Sequence, residues 1–454
     1  MTCPTSVEAA DLWRLLQRAC PEELIQELCR KQEHPFRRGI YSILVVIWLM
    51  MYQRLNSKRS SSSAVQWLVR NAASLHSRNA CKRVRTARIS ANNGAYCQAR
   101  QKLPKLVVIP LMDSLFEELQ EHMREVMPEL ARPVFIVDGT TLRAPYGKEL
   151  AKQFPPGHNQ HGENHWPTLL LVTFHNAYTG LAARPSWGAM YGPQAVSEQH
   201  LAEQALQRLP ADAIVMADGN FGIFAFAYAV QRTARPMLFR LTLARARKLL
   251  GDGRLRPGRR HRLVWRPSAY ERRMHPELPQ ECRVPGWMVA CRNPSRPAEM
   301  LYFFTTLDLK PIRILALYKL RWSIETDLRS LKRTVGLHEL TSRTPGMVEK
   351  ELLIAVAAYN LVRATIYRAA RRAGLRPRDF SFSVAQDAVM AAWSDLSRAA
   401  TPRDRDRQVL RLVEAVGRAR LPHRRRRRSY PRQVWGRGGH FPQRSSAPTQ
   451  ESGR

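Results

Sequence analysis

The sequence is short of acid: 454 residues hold 37 Asp and Glu against 73 Lys and Arg, a formal net charge of +36. A compact chain with such an excess repels itself, so an anionic partner is needed, and nucleic acid is the first candidate. Cysteine is also sparse. Seven residues, an odd number with no Cys-x-x-Cys pair, leave neither a disulfide framework nor a zinc ribbon to organise the fold. Reduced, buried thiols in a cytoplasmic protein are expected. Long apolar runs are missing as well. The stretch 43–52 is about half of what a bilayer demands and reads as a buried helix, so no membrane partner is expected. The first apolar stretch is interrupted by acids, which excludes a signal-peptide pattern, and no internal repeat occurs.

What is present is apolar residue enough, 44%, for a sizeable core. Residues 1–128 show apolar positions three and four apart over 11–20, 21–31, 39–55, 62–73 and 106–126, which predicts a helical N-terminal DNA-binding region; a helical packing or dimerisation domain is the alternative. From 132 the period changes. Val134–Val137 is a short apolar run ending in Asp138-Gly139, a buried strand followed by a turn. Strands over 168–175, 181–190, 213–217 and 237–242, with helices over 197–209 and 221–232, complete a β-β-β-α-β-α-β order. That order predicts a mixed sheet with flanking helices over 129–242. In 243–310 the rhythm stops. Residues 243–300 hold 14 basic and 5 acidic side chains with many prolines, which predicts a small basic β insertion carrying Trp265 and Trp287. The last core helices and a helical C-terminal region follow over 311–400, with long helices at 311–335, 346–373 and 379–397. Residues 401–454, with 15 Arg and 4 acids, are expected to be a disordered tail until they meet DNA.

Three acids stand out. Asp138 and Asp218 each end an apolar run directly before Gly, which places both at one sheet edge if the strands are parallel neighbours; Asp-Gly is equally a common turn dipeptide. Glu325 lies in 311–335 with Tyr318, Arg321 and Lys332 at steps of 3, 4 and 7, so the four share one helical face. Leu317, Leu320, Ile324, Leu328 and Leu331 form a separate apolar stripe that anchors the helix. A surface Arg321–Glu325 pair is the plainer reading of the polar face. His158, His161, His165 and His175 could suggest zinc, but a solvated loop near DNA is the stronger reading.

The series Tyr318, Arg321, Glu325, Lys332 resembles the Y-x-x-R-x-x-x-E-x-x-x-x-x-x-K signature of the insertion-sequence-four family of DDE transposases. Asp138-Gly-Thr-Thr looks like the block around that family's first acid, and Ala217-Asp-Gly-Asn-Phe-Gly resembles the second, although Gly219 stands where a basic residue is frequent. Residues 96–103 look like the helix before the catalytic core, and the likeness spans roughly 40–375. It implies a ribonuclease-H-like α/β core interrupted by a β insertion, with helical N- and C-terminal regions. It also implies cut-and-paste transposition: DNA cleavage at element ends and strand transfer into target DNA. Asp138, Asp218 and Glu325 would hold two Mg²⁺ ions, with Mn²⁺ as a substitute. Tyr318, Arg321 and Lys332 would contact DNA, and Trp287, with Trp265 in reserve, would stack a flipped base. The partners implied are double-stranded DNA, as terminal inverted repeats and target, and a second copy in a dimeric synapse in a prokaryotic nucleoid. A silent, domesticated DNA-binding descendant and a nuclease without strand transfer are the competing readings.

Overall fold

The computed structural model describes residues 12–36, 39–75, 81–123, 132–159, 162–163, 165–251, 253, 255–399 and 401–422. Residues 1–420 form one compact unit; of the second, 421–454, only Leu421 and Pro422 are described.

The strands are β1 (Val134–Arg143), β2 (His158–Asn159), β3 (Gly162–Glu163), β4 (Thr168–Asn176), β5 (Ser186–Ala189), β6 (Ile214–Ala217), β7 (Met237–Leu241), β8 (Arg260–Trp265), β9 (Val284–Asn293) and β10 (Arg296–Thr305). β2 and β3 pair with each other, and the other eight make one sheet in the order β5-β4-β1-β6-β7-β10-β9-β8. β5, β4 and β1 are antiparallel neighbours, whereas β1, β6 and β7 run parallel. Helices Glu198–Leu206 and Phe224–Arg232 supply the crossovers that parallel strands require. This is the ribonuclease-H-like mixed sheet expected from the order of elements.

Both sheet faces are buried, and the two-residue side-chain period sorts them. Phe135, Val137, Val215, Ala217, Met237 and Phe239 join the large core, which also takes in the N-terminal helices and the long helix Pro345–Ala373. Val134, Ile136, Ile214, Met216, Leu238 and Phe303 face the other way, against Ile314, Leu317, Tyr318, Ile324 and Leu328. Among the described helices Pro345–Ala373 is the one long and apolar enough to cross a membrane; its most apolar stretch is buried inside the fold. The N-terminal helices share its core: Trp48 stacks on Trp393 at 4.1 Å, and the buried Arg54 pairs with Glu351.

Two expectations are refined and two are corrected. The strand through Asp138 does not turn at Gly139, because β1 stays paired with β4 as far as Arg143. The 243–310 segment inserts β8, β9 and β10 between β7 and the helix Pro311–Tyr318, as expected, but they join the edge of the main sheet, since alternating apolar residues such as Val289, Cys291, Leu301 and Phe303 continue one of its faces. The expected 311–335 helix is helical without a gap over 311–334 but changes its winding: Pro311–Tyr318 runs into a 3₁₀ turn (Lys319–Trp322), an α-helical stretch (Ser323–Arg329) and a π turn (Ser330–Thr334). Finally, the chain after 401 is folded over Pro402–Gly417, where Val409, Leu412, Val413 and Val416 make a buried stripe beneath the arginines. Residues 423–454 lie outside the described residues.

Candidate active site

The parallel pairing of β1 and β6 sets Val134 level with Ile214 and Ile136 level with Met216. Continued by two residues, the same register sets Asp138 level with Asp218 on the adjacent strand, roughly 5 Å away backbone to backbone. The β6–β7 register, with Ala217 level with Phe239, puts Arg240 next in the row. All three share parity with Ile136, Met216 and Leu238, so their side chains leave the sheet on the face covered by the segment 311–329.

Each Asp has one oxygen held locally. Asp138 Oδ1 accepts from the Gly139 N–H at 2.8 Å, and Asp218 Oδ1 from the Asn220 N–H at 2.9 Å. Burial, then Asp218 and Glu198, push the Asp138 carboxyl up to about 6, against the Gly139 N–H and Arg321. Two glycines make room here. A Cβ on Gly139 would sit 2.4 Å from Glu198 Oε1, and one on Gly222 would sit 2.2 Å from the Arg240 carbonyl oxygen.

Glu198, Asn220, Arg240 and Trp322 belong to this neighbourhood and went unnoticed in the sequence. Glu198 begins a helix capped by Ser197, is half-buried, and accepts from Asn220 Nδ2 at 2.6 Å. Its carboxyl is raised by burial and by Asp218. The available signals were an Asn two residues after an Asp, and a lone Arg in the otherwise apolar Met-Leu-Phe-Arg-Leu of β7.

The signature residues are distributed unevenly. Tyr318 is buried against Phe303 at 4.8 Å, within the fields of Arg321, Arg240 and Asp218, and burial pushes its phenol up to about 12. Arg321 Nη2 donates to Glu325 Oε1 at 2.9 Å while its charge also reaches Asp138. Arg321 thus acts on both Asp138 and Glu325. The Arg321 guanidinium also covers Trp322, whose ring is 61% exposed, at 4.5 Å. Among the described residues no three His, Cys, Asp or Glu side chains converge closely enough to hold a metal ion. Lys332 falls in the π turn, in the fields of Arg333 and Arg143, and burial lowers its ammonium pKa first, then those two charges.

The tryptophans of the sheet extension stand on β9 and β8, three and four strands from β6. Trp265 is buried against Phe224 and Phe304, which leaves it no face for a base and removes it as the reserve platform. Trp287 on β9 is partly buried, with the Arg260 guanidinium over its ring at 4.2 Å. His175 is fully buried rather than part of a solvated loop, while His158 and His165 are exposed. His161 lies outside the described residues.

Residues 129–361 match the family described as "Transposase DDE domain". The chain is also similar to "Transposase InsG for insertion sequence element IS4" of Escherichia coli (strain K12), with 26% identity over 311 residues, 67% of this chain and 68% of that protein.

Proposed function

The chain belongs to the transposase DDE domain family, an enzyme that cuts and joins DNA with a divalent metal, and from that premise we propose that Asp138, Asp218 and Glu325 are its catalytic, metal-holding acids. The observation that carries this reading is the parallel pairing of β1 and β6, whose register carried on by two residues sets Asp138 level with Asp218, together with Arg321, which donates to Glu325 while its charge acts on Asp138.

The donor chemistry fits a hard cation. Every candidate ligand is a carboxylate oxygen, the preference of Mg²⁺ and of Mn²⁺ in its place, and the Asp138 carboxyl is raised partly by the two acids beside it, a repulsion that a cation relieves. Two such ions, when bound, activate the attacking water or 3′-hydroxyl and stabilise the leaving oxygen. The protein's own part is positioning and charge. Release of Arg321 from Glu325 lets the carboxylate turn toward the sheet acids and frees the guanidinium for a DNA phosphate. Tyr318, packed on Phe303 where the 3₁₀ turn that carries Arg321 begins, and Lys332 farther along are the further DNA contacts. For stacking a displaced base, the exposed Trp322 beside Arg321 is better placed than Trp287, which is partly buried in the sheet extension. Inverted-repeat ends and target DNA held by a dimeric synapse complete the proposal.

Glu325→Gln is expected to abolish Mg²⁺-dependent cleavage of terminal-repeat DNA while leaving binding within a few-fold, read by gel shift beside a cleavage assay. A variant that still cuts removes Glu325 from the triad.

A further inference from the structure

The hairpin leaving the acid site carries three rings that the catalytic reading does not use. β1 runs on from Asp138 to Arg143, and Ala144 N–H donates to the Pro167 carbonyl at 2.9 Å where the chain returns toward β4. Beyond this neck, Tyr146 and His165 stack with centroids 4.8 Å apart and planes 15° apart, and Trp166 meets His165 edge-on at 5.4 Å. Tyr146 is 51% and Trp166 46% exposed. Large rings assembled in solvent bury little of their own surface, and such a patch marks a binding partner.

The surroundings say which partner. Arg143 at the neck is exposed, Lys332 lies within its field, and Lys148 and Lys152 follow Tyr146 on the helix Lys148–Gln153. Aromatic faces set among cations match nucleobases and phosphates together, as in proteins that grip single strands. Inside a duplex the base faces are already stacked, so the rings need an unpaired nucleotide. We infer that Tyr146, His165 and Trp166 form a stacking platform for unpaired bases of a DNA strand leaving the acid site, with Arg143 on its phosphate. β1 covers the five residues from Asp138 to Arg143 in about 17 Å, or about five base steps at ~3.4 Å each. The platform is thus a contact separate from any base stacked beside Arg321. The inference takes from the preceding reading that the chain binds DNA and that the strand passes the acid site; its test reads binding alone.

The test uses the full chain, with fluorescein-labelled single-stranded oligothymidylate and a mixed-sequence duplex of equal length, followed by anisotropy across a salt titration. The double variant Tyr146→Ala, Trp166→Ala should lose about fivefold or more in single-strand affinity, keep its duplex affinity, and keep its salt slope, because stacking releases no counterions. Tyr146→Phe, which retains the ring, should bind as the parent does. Arg143→Ala should weaken both probes and lower the slope. Unchanged single-strand binding in the double variant, or equal losses on both probes, overturns the platform. Neither result touches the assignment of the three acids, which Glu325→Gln tests by cleavage.

Discussion

At Asp138 two opposing demands meet in one carboxyl. Burial and the neighbouring acids raise it to about 6 from its ordinary 3.8. Between those values the folded state binds the proton more tightly than the unfolded state, so unfolding releases it. Stability of the metal-free protein therefore falls as pH rises through that window, and the loss is complete above it. Asp138→Asn removes the cost. In chelator, its melting temperature should exceed that of the parent above pH 6, and the gap should close toward pH 4. Mg²⁺ should then raise the parent's melting temperature by mass action and leave the variant's unmoved. A variant that keeps its full Mg²⁺ shift excludes Asp138 as a ligand. The reading that Asp138 and Asp218 stand at strand ends came from apolar runs alone. That they share a row could not be read there, because register depends on which strands pair and with what offset.

At the scale of the element, the helical run that carries Glu325 is α-wound there only over Ser323–Arg329, between a 3₁₀ turn and a π turn. The apolar stripe from Leu317 to Leu331 was legible as helical periodicity, but the local changes of winding were not, since they shift a side chain's direction without disturbing the spacing of apolar letters. Each change of winding turns the side chains that follow it, and Asp327 supplies a fixed point. It is fully buried and accepts from Arg363, Arg378 and the Tyr359 hydroxyl, the last at 3.1 Å, while His175 Nδ1 lies 3.8 Å away. Burial alone would raise its carboxyl, and Arg378, Arg363 and His175 more than reverse this, so it stays below the ordinary range. Asp327→Asn leaves guanidinium charge buried without its counterion, at a cost of about 3–5 kcal/mol. Urea unfolding should show that loss, and a double variant Asp327→Leu, Arg363→Met should recover part of it. A single variant within about 1 kcal/mol of the parent would mean that water already screens the cluster. In the same way the partners that bury Trp265 in the sheet extension could not be read from the sequence, although its closing a small core is one of the readings open there. Its burial depends on Phe224 and Phe304, far away along the chain.

For the whole molecule the question is what the +36 charge is for. Part of the basic character of the C-terminal segment belongs to a folded element, Pro402–Gly417, whose apolar stripe is buried, so charge density alone does not divide core from tail. Residues 423–454 carry nine Arg and one Glu, and they contribute no stripe of that spacing. Two truncations separate the roles. Removing 423–454 should leave the urea midpoint unchanged, lower affinity for random DNA, and reduce the steepness with which that affinity falls with salt, since fewer counterions are released. Removing 402–454 should in addition lower the midpoint, because Val409, Leu412, Val413 and Val416 lose their contacts and the surfaces they cover are exposed. Preference for terminal-repeat over random DNA should survive the shorter truncation, because phosphate contacts alone carry no sequence information. If removing 423–454 abolishes that preference, the segment reads bases as well as phosphates, and sequence recognition is not confined to the folded body.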